Sequence, residues 1–127
     1  MPVRVLLVDD EPIFLEALRA LLDGDERVEI VGATESGAAA LDLARTTHPD
    51  VALVDLAMPE MNGFELTRAL LANEPALRVL AVSGLSHEGD ATRALEAGAT
   101  AFLMKGGLYG EVAEAIVEAA ASPQHQH

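Results

Sequence analysis

Residues 51–63 read VALVDLAMPEMNG. An apolar run ends in an acid, Asp55, and turn-forming residues follow it, Pro59 and Gly63 among them. A short apolar run bounded by turn signals reads as a buried strand. A strand over 51–54 puts Asp55 at its carboxyl end, where an open α/β sheet binds its ligands. Whether such a sheet exists depends on the rest of the chain.

Working outward, VRVLLV at Val3–Val8 is a near-continuous apolar run, as expected of a strand buried on both faces. VEIVGA at 28–33 partly alternates and reads as an edge strand. RVLAV at 78–82 and AFLM at Ala101–Met104 complete a set of five strands. Helical spacing fills the intervals. Residues 12–22 bring Phe14, Ala17, Leu18 and Leu21 to one face, with Pro12 suited to a first turn and the acids before it suited to a helix N-terminus. Residues 37–46, capped by Ser36, turn Ala40, Leu41 and Ala44 inward. Residues 63–72 offer Phe64, Leu66, Ala69 and Leu70. Residues 108–121 offer Leu108, Val112, Ile116 and Val117. The helix over 88–97 has mainly Ala91, Ala94 and Leu95 before Gly98 closes it. So thin an apolar face predicts a helix that moves relative to its neighbours. Residues 48–50 form a turn before the third strand, with His48 exposed.

This β-α alternation predicts one α/β domain over 1–121, a five-stranded parallel sheet with helices on both faces. The second strand, edge-like and delivering no reactive group, suits a flavodoxin-like, doubly wound sheet in the order 2-1-3-4-5, with five helices. Residues 122–127 have no core-forming pattern and read as a linker stub or tail. Their histidines do not make a metal site.

The bulk composition agrees. The chain has 127 residues, half of them hydrophobic, but only 3% aromatic, so aliphatic side chains must fill the core. There is no cysteine, which suits a reducing compartment. No membrane-spanning run or signal peptide is evident, which predicts a soluble, cytoplasmic protein. With 8 basic against 21 acidic residues the net charge is −13, so the domain itself should repel nucleic acid. Lys105 is the single lysine; every other basic residue is arginine.

In the order 2-1-3-4-5 the chain reverses direction across the sheet between strands one and three. Strand one there delivers Asp9 and Asp10, and strand three Asp55. Strand four delivers Ser83 and strand five Lys105. Taken singly, Asp9 and Asp10 could cap a helix, Ser83 could be a turn residue and Lys105 a surface lysine. Together, reactive groups end neighbouring strands of one sheet. Crowded carboxylates repel, and a divalent cation relieves them. All-oxygen ligation suits Mg²⁺, with the Ala57 carbonyl within reach. Acids, metal, hydroxyl and ammonium around one point describe phosphoryl transfer to a carboxylate.

LLVDDEP, VDLAMPEMNG, AVSG and AFLMKG, in this order and at these separations, resemble the signature blocks of the receiver domain of two-component response regulators. The resemblance covers residues 3 to 121. It implies that Asp55 accepts a phosphoryl group from a histidine kinase, and that the domain signals rather than turns over substrate as an enzyme. Asp10, Asp55 and the Ala57 carbonyl would ligate Mg²⁺, with Asp9 acting through water. Ser83 and Lys105 would contact phosphoryl oxygens. Phe102 stands where the family has its switch aromatic and, lacking a hydroxyl, must act by packing. Gly106 after the lysine and the PIFLEALRALL helix resemble the subfamily that carries a LuxR-type DNA-binding output domain. That implies transcriptional regulation, DNA contact only through such a domain, and a phosphorylation-linked homodimer. Alternatives are a stand-alone receiver or a phosphorylation-independent binding module. A phosphohydrolase with an aspartate nucleophile would place a second acid at position 57, where alanine stands. A flavodoxin-like cofactor carrier would not end strand one in acids.

Overall fold

The computed structural model describes residues 1–58, 61–84, 87–108 and 110–122. Among them five parallel strands form one sheet: β1 (Val3–Val8), β2 (Val28–Thr34), β3 (Val51–Asp55), β4 (Arg78–Ser83) and β5 (Ala101–Met104), in the order β2-β1-β3-β4-β5. The helices are α1 (Pro12–Asp23), α2 (Gly37–Thr47), α3 (Gly63–Asn73), α4 (Asp90–Glu96) and α5 (Val112–Ala121). The predicted sheet, its order and its helices are all present. Pro59 and Glu60 of the predicted loop after the third strand, Leu85 and Ser86 after the fourth, Tyr109 of the predicted last helix and residues 123–127 of the tail lie outside the described residues.

Strand side chains alternate between faces, and the core divides accordingly. Val5, Leu7, Val51, Leu53, Leu80 and Val82 pack under α1 and α5. Leu6, Val8, Ala52, Val54, Val79 and Ala81 pack under α2, α3 and α4. The central strands are therefore apolar at nearly every position, because each side chain has a core to enter. β2 is an edge as expected, mostly half-buried, and its pairing with β1 slips by one residue between Val5 and Leu6.

Two helix caps come from short polar side chains. Ser36 accepts a hydrogen bond from the Ala39 N–H (3.3 Å) at α2. At α3, the Asn62 side-chain Oδ1 accepts from the Glu65 N–H (2.9 Å), and Asn62 Nδ2 donates to the Glu65 carboxylate (2.8 Å). The sequence signal for this reciprocal pair is Asn62 with Glu65 three residues on, a spacing that went unread. His48 is exposed as expected and adopts the left-handed conformation (φ 47°) at the end of α2, with Nδ1 3.0 Å from Glu74 Oε1.

Three helical expectations need correction. α1 buries Phe14, Leu15, Leu18 and Leu22, while Leu21 is exposed and Ala17 only half-buried. The inward face is thus rotated toward Leu15 and Leu22, which reach the β-sheet residues beneath. α4 begins at Asp90 rather than 88, and of its three candidate residues only Ala94 is buried; Leu95 is 43% exposed. Gly98 after it has φ +112°, a conformation that L side chains rarely adopt. α5 begins at Val112 rather than 108. Lys105–Gly107 form a single 3₁₀ turn, and Gly106, Gly107 and Gly110 disfavour helix through their backbone entropy. Leu108 is buried nonetheless, from the turn rather than from the helix.

Among the described residues no helix is long and apolar enough to cross a membrane.

Candidate functional site

The site lies at the carboxyl ends of β1, β3, β4 and β5. Asp9 follows β1, and its Oδ1 accepts a hydrogen bond from the Glu11 N–H (2.8 Å) as the chain turns into α1. Asp55 is the last residue of β3, and its Oδ1 accepts from the Ala57 N–H (3.1 Å). The next residue, Leu56, donates its N–H to the Val82 carbonyl (2.9 Å), which ties the β3 exit to β4. Gly63 closes this turn. Its N–H donates to the Leu56 carbonyl (3.0 Å), and a Cβ at position 63 would collide with the Leu56 backbone and the Asp55 carbonyl oxygen.

Ligand oxygens of Asp9, Asp10 and Asp55 all lie within 4.8 Å of one another. Asp9 and Asp55 are buried, Asp10 half-buried. Lys105, the first residue after β5, reaches in among them. Its Nζ is 2.8 Å from Asp9 Oδ2 and 3.7 Å from Asp55 Oδ2. Beneath the acids the protein is closed: the small gap lined by Val8, Phe14, Leu18, Leu53 and Val82 has no room for a water molecule. The carboxylates can therefore be solvated or liganded only from the outer side.

This burial dominates the electrostatics. It pushes the Asp55 carboxyl up to about 7, against the hydrogen bond from the Ala57 N–H and the smaller pull of Lys105, and is reinforced by a hydrogen bond with Asp10 and by the charge of Asp9. Asp9 is raised as well, burial outweighing its hydrogen bonds from Lys105 and Glu11. For Lys105, burial disfavours the ammonium, but hydrogen bonds to Asp9 and Glu11 outweigh it and hold the pKa above the ordinary lysine value. One ammonium among three aspartates leaves the cluster short of positive charge. A hard divalent cation fits that deficit, since it takes oxygen ligands and pairs with one or two carboxylates. The three aspartates offer such a donor set.

The other expected residues take different places. Ser83 ends β4, buried, one position beyond Val82, the register partner of Asp55. Ala57 is exposed, two residues past Asp55. Phe102 is not at the acids. It is half-buried in β5 opposite Ala81 and packs against the core under α2, α3 and α4.

Two members of the site went unread in the sequence. Glu11 looked like helix-terminal acidity, yet its side chain makes no cap and instead accepts a hydrogen bond from Lys105 Nζ. Phe14 looked like core, yet its ring face lies 4.5 Å from the same Nζ. The only available signal was position: Glu11 directly follows the acid pair, and Phe14 is one helical turn beyond it.

Residues 5–117, which include every strand-end group above, match the response regulator receiver domain. The chain belongs to that family. It is 37% identical over 114 residues to the response regulator GacA of Pseudomonas viridiflava, covering 90% of this chain and 53% of that protein. The signal receiver domain of the response regulator NarL from Mycobacterium tuberculosis superposes with a TM-score of 0.89 at 36% identity, covering 96% of this chain and 98% of that one. A LuxR-family two-component response regulator from Aurantimonas sp. SI85-9A1 gives 0.89 at 30% identity, covering 99% and 90%. The receiver thus resembles the LuxR-type branch, as the sequence suggested. It spans about half the length of the curated relatives it matches.

Proposed function

We propose that this receiver is a phosphorylation-dependent switch in which Asp55 is the phosphoacceptor. The observation that carries the reading is the chain's single lysine, its Nζ 3.7 Å from Asp55, within a cluster of three aspartates at the sheet's carboxyl edge. An Asp55 carboxylate oxygen attacks the phosphorus of a histidine kinase's phosphohistidine. The P–N bond breaks, its electron pair stays on the imidazole nitrogen, and an aspartyl phosphate forms. Asp9, Asp10, Asp55 and the Ala57 carbonyl are the candidate ligands for Mg²⁺, which would neutralise charge on the transferring group. Asp55 must be ionised to attack, and an adjacent cation favours that form. Lys105 and Ser83 then contact the phosphoryl oxygens.

The readout runs from Ser83 through the β4 exit to Phe102 and α4. Phe102 packs against the same core as Ala94, the single buried residue of α4. Its repacking shifts α4 and alters the face formed by α4, β5 and α5, in favour of a partner or a second copy of the chain. Residues 1–121 form the receiver, 122–127 are a linker stub or tail, and the receiver relays its state to an output. That output is a LuxR-type DNA-binding domain, in a cytoplasmic transcriptional regulator, and DNA contact belongs to it alone. The receiver itself is not an enzyme with a turnover substrate.

Acetyl phosphate or beryllofluoride with Mg²⁺ should shift the Ser83, Phe102 and Lys105 amide signals in NMR spectra and, for acetyl phosphate, add one phosphoryl group to the intact mass. A response without Mg²⁺ dependence, or one retained in Asp55→Ala, would overturn the reading.

A further inference from the structure

We propose that Glu11 is a positioning residue that holds the Lys105 ammonium on the α1 side of the site, short of Asp55, so that phosphorylation requires Glu11 to let go. This rests on the reading of Asp55 as phosphoacceptor. Lys105 Nζ has three carboxylate neighbours, and they differ in kind. Asp9 lies 2.8 Å away with its side chain 3% exposed; losing Lys105 would strand a buried charge. Asp55 lies 3.7 Å away, inside ion-pair range but beyond a hydrogen bond, and is equally buried. Glu11 is hydrogen-bonded to Nζ, yet its side chain is 62% exposed and returns to water at little cost. Lys105 therefore has one partner it must keep and one it can release.

The local geometry gives Glu11 this place. It occupies the N-cap position of α1 with an extended backbone, but its side chain does not cap the helix. Its own N–H is bonded to Asp9 Oδ1. Glu11 thus fixes Asp9 through its backbone and Lys105 through its carboxylate. The Phe14 ring, one turn further along α1, faces the same ammonium. All these contacts draw Nζ toward α1. Phosphorylation raises the negative charge at Asp55, and a move of about an ångström would bring Nζ into hydrogen-bond range of that side. Glu11 is the competing anion, so its strength sets how readily the switch engages.

The test is beryllofluoride affinity at saturating Mg²⁺ in a double-mutant cycle. Glu11→Gln should tighten binding about two- to fivefold, the range of an exposed ion pair, in a protein that remains folded. In a Lys105→Ala background the same substitution should have no effect. Unchanged or weakened binding in Glu11→Gln overturns the proposal, and so does equal tightening without Lys105, which would reveal a bulk charge effect. If the wild-type protein takes up no beryllofluoride, the phosphoacceptor reading falls. The tether is then read directly, as it also is if Lys105→Ala fails to fold. Glu11→Gln should move the Lys105 ammonium resonance of the unmodified protein, and Glu26→Gln, in the exposed turn between α1 and β2, should not. An unmoved resonance overturns the tether irrespective of phosphorylation.

Discussion

Helices α1 and α4 both follow strands that deliver site residues, but they are held in different ways. α1 has twelve residues and buries Phe14, Leu15, Leu18 and Leu22 against the sheet. α4 has seven, buries Ala94, and starts from Gly89 without a side-chain cap. Its polar contacts are few: the Arg93 guanidinium lies 4.0 Å from the centroid of the Phe64 ring on α3, and Asp90 Oδ2 accepts a hydrogen bond from the His87 N–H (2.9 Å) in the turn before the helix. The acids at the β1 end stand on a fixed wall, while the helix beyond Ser83 rests on an alanine and a ring. A switch needs both, since a site that must hold its geometry and a readout that must move cannot share one degree of anchoring.

The contrast is broken most severely from the α1 side. Leu18→Ala removes a side chain that is 1% exposed, and should cost about 2–5 kcal/mol in urea unfolding. A loss under 1 kcal/mol would mean that α1 is not the firm wall.

pH shifts the balance at the same end. Between the ordinary carboxyl value of 3.8 and about 7, folded Asp55 keeps a proton that the unfolded chain has lost. Stability from this group is therefore full at low pH and falls as pH rises toward 7, and Asp9, also raised, adds the same sign. Urea unfolding in EDTA should show lower stability at pH 8 than at pH 5 from this source. Mg²⁺ or Asp55→Asn should flatten the difference. A steeper fall in Asp55→Asn would contradict the assignment.

Capping sharpens the comparison between α3 and α4. Asn62→Ala should cost about 1 kcal/mol of global stability, because a formed reciprocal cap is lost. Arg93→Ala should cost less, about 0.5–1 kcal/mol, as expected of an exposed cation–π pair. Its signature is local: hydrogen exchange should accelerate in α4 and leave α1 unchanged. The smallest effect is expected at Leu95→Ala. That side chain is largely solvated, and the change should stay within about 0.5 kcal/mol.

The same contrast explains what the sequence discloses. Strands with a core on each face are written as near-continuous apolar runs, so β1, β3 and β4 can be read to within a residue of their ends; β5, a half-buried edge, is apolar throughout and reads as well, and the sheet order follows once the partly alternating β2 is placed at the other edge. The acids and Lys105 were legible because they end those runs. α4 was recognisable as weakly held, but not which of its residues turn inward, since a short helix with few apolar side chains has no dominant face. Leu21 and Leu22 are equally apolar, and only the sheet beneath decides between them. Glu11 was opaque for a related reason. A carboxylate before a helix has two outlets, the helix N–H groups or a distant cation, and the choice depends on Lys105, 94 positions later in the chain.

The close approach at Gly63 has a consequence for how this segment can vary. Leu56 and Gly63 meet backbone to backbone, so the chain that leaves β3 returns to a neck where α3 begins, with Asp55 immediately outside it. A different side chain at Ala57, which is exposed, alters what the acid meets at the surface. A side chain at the neck would spread it and displace the acid itself. Diversity is therefore available to the exposed Ala57, less to Met58 and Met61, which pack against the core, and almost none of it to residue 63.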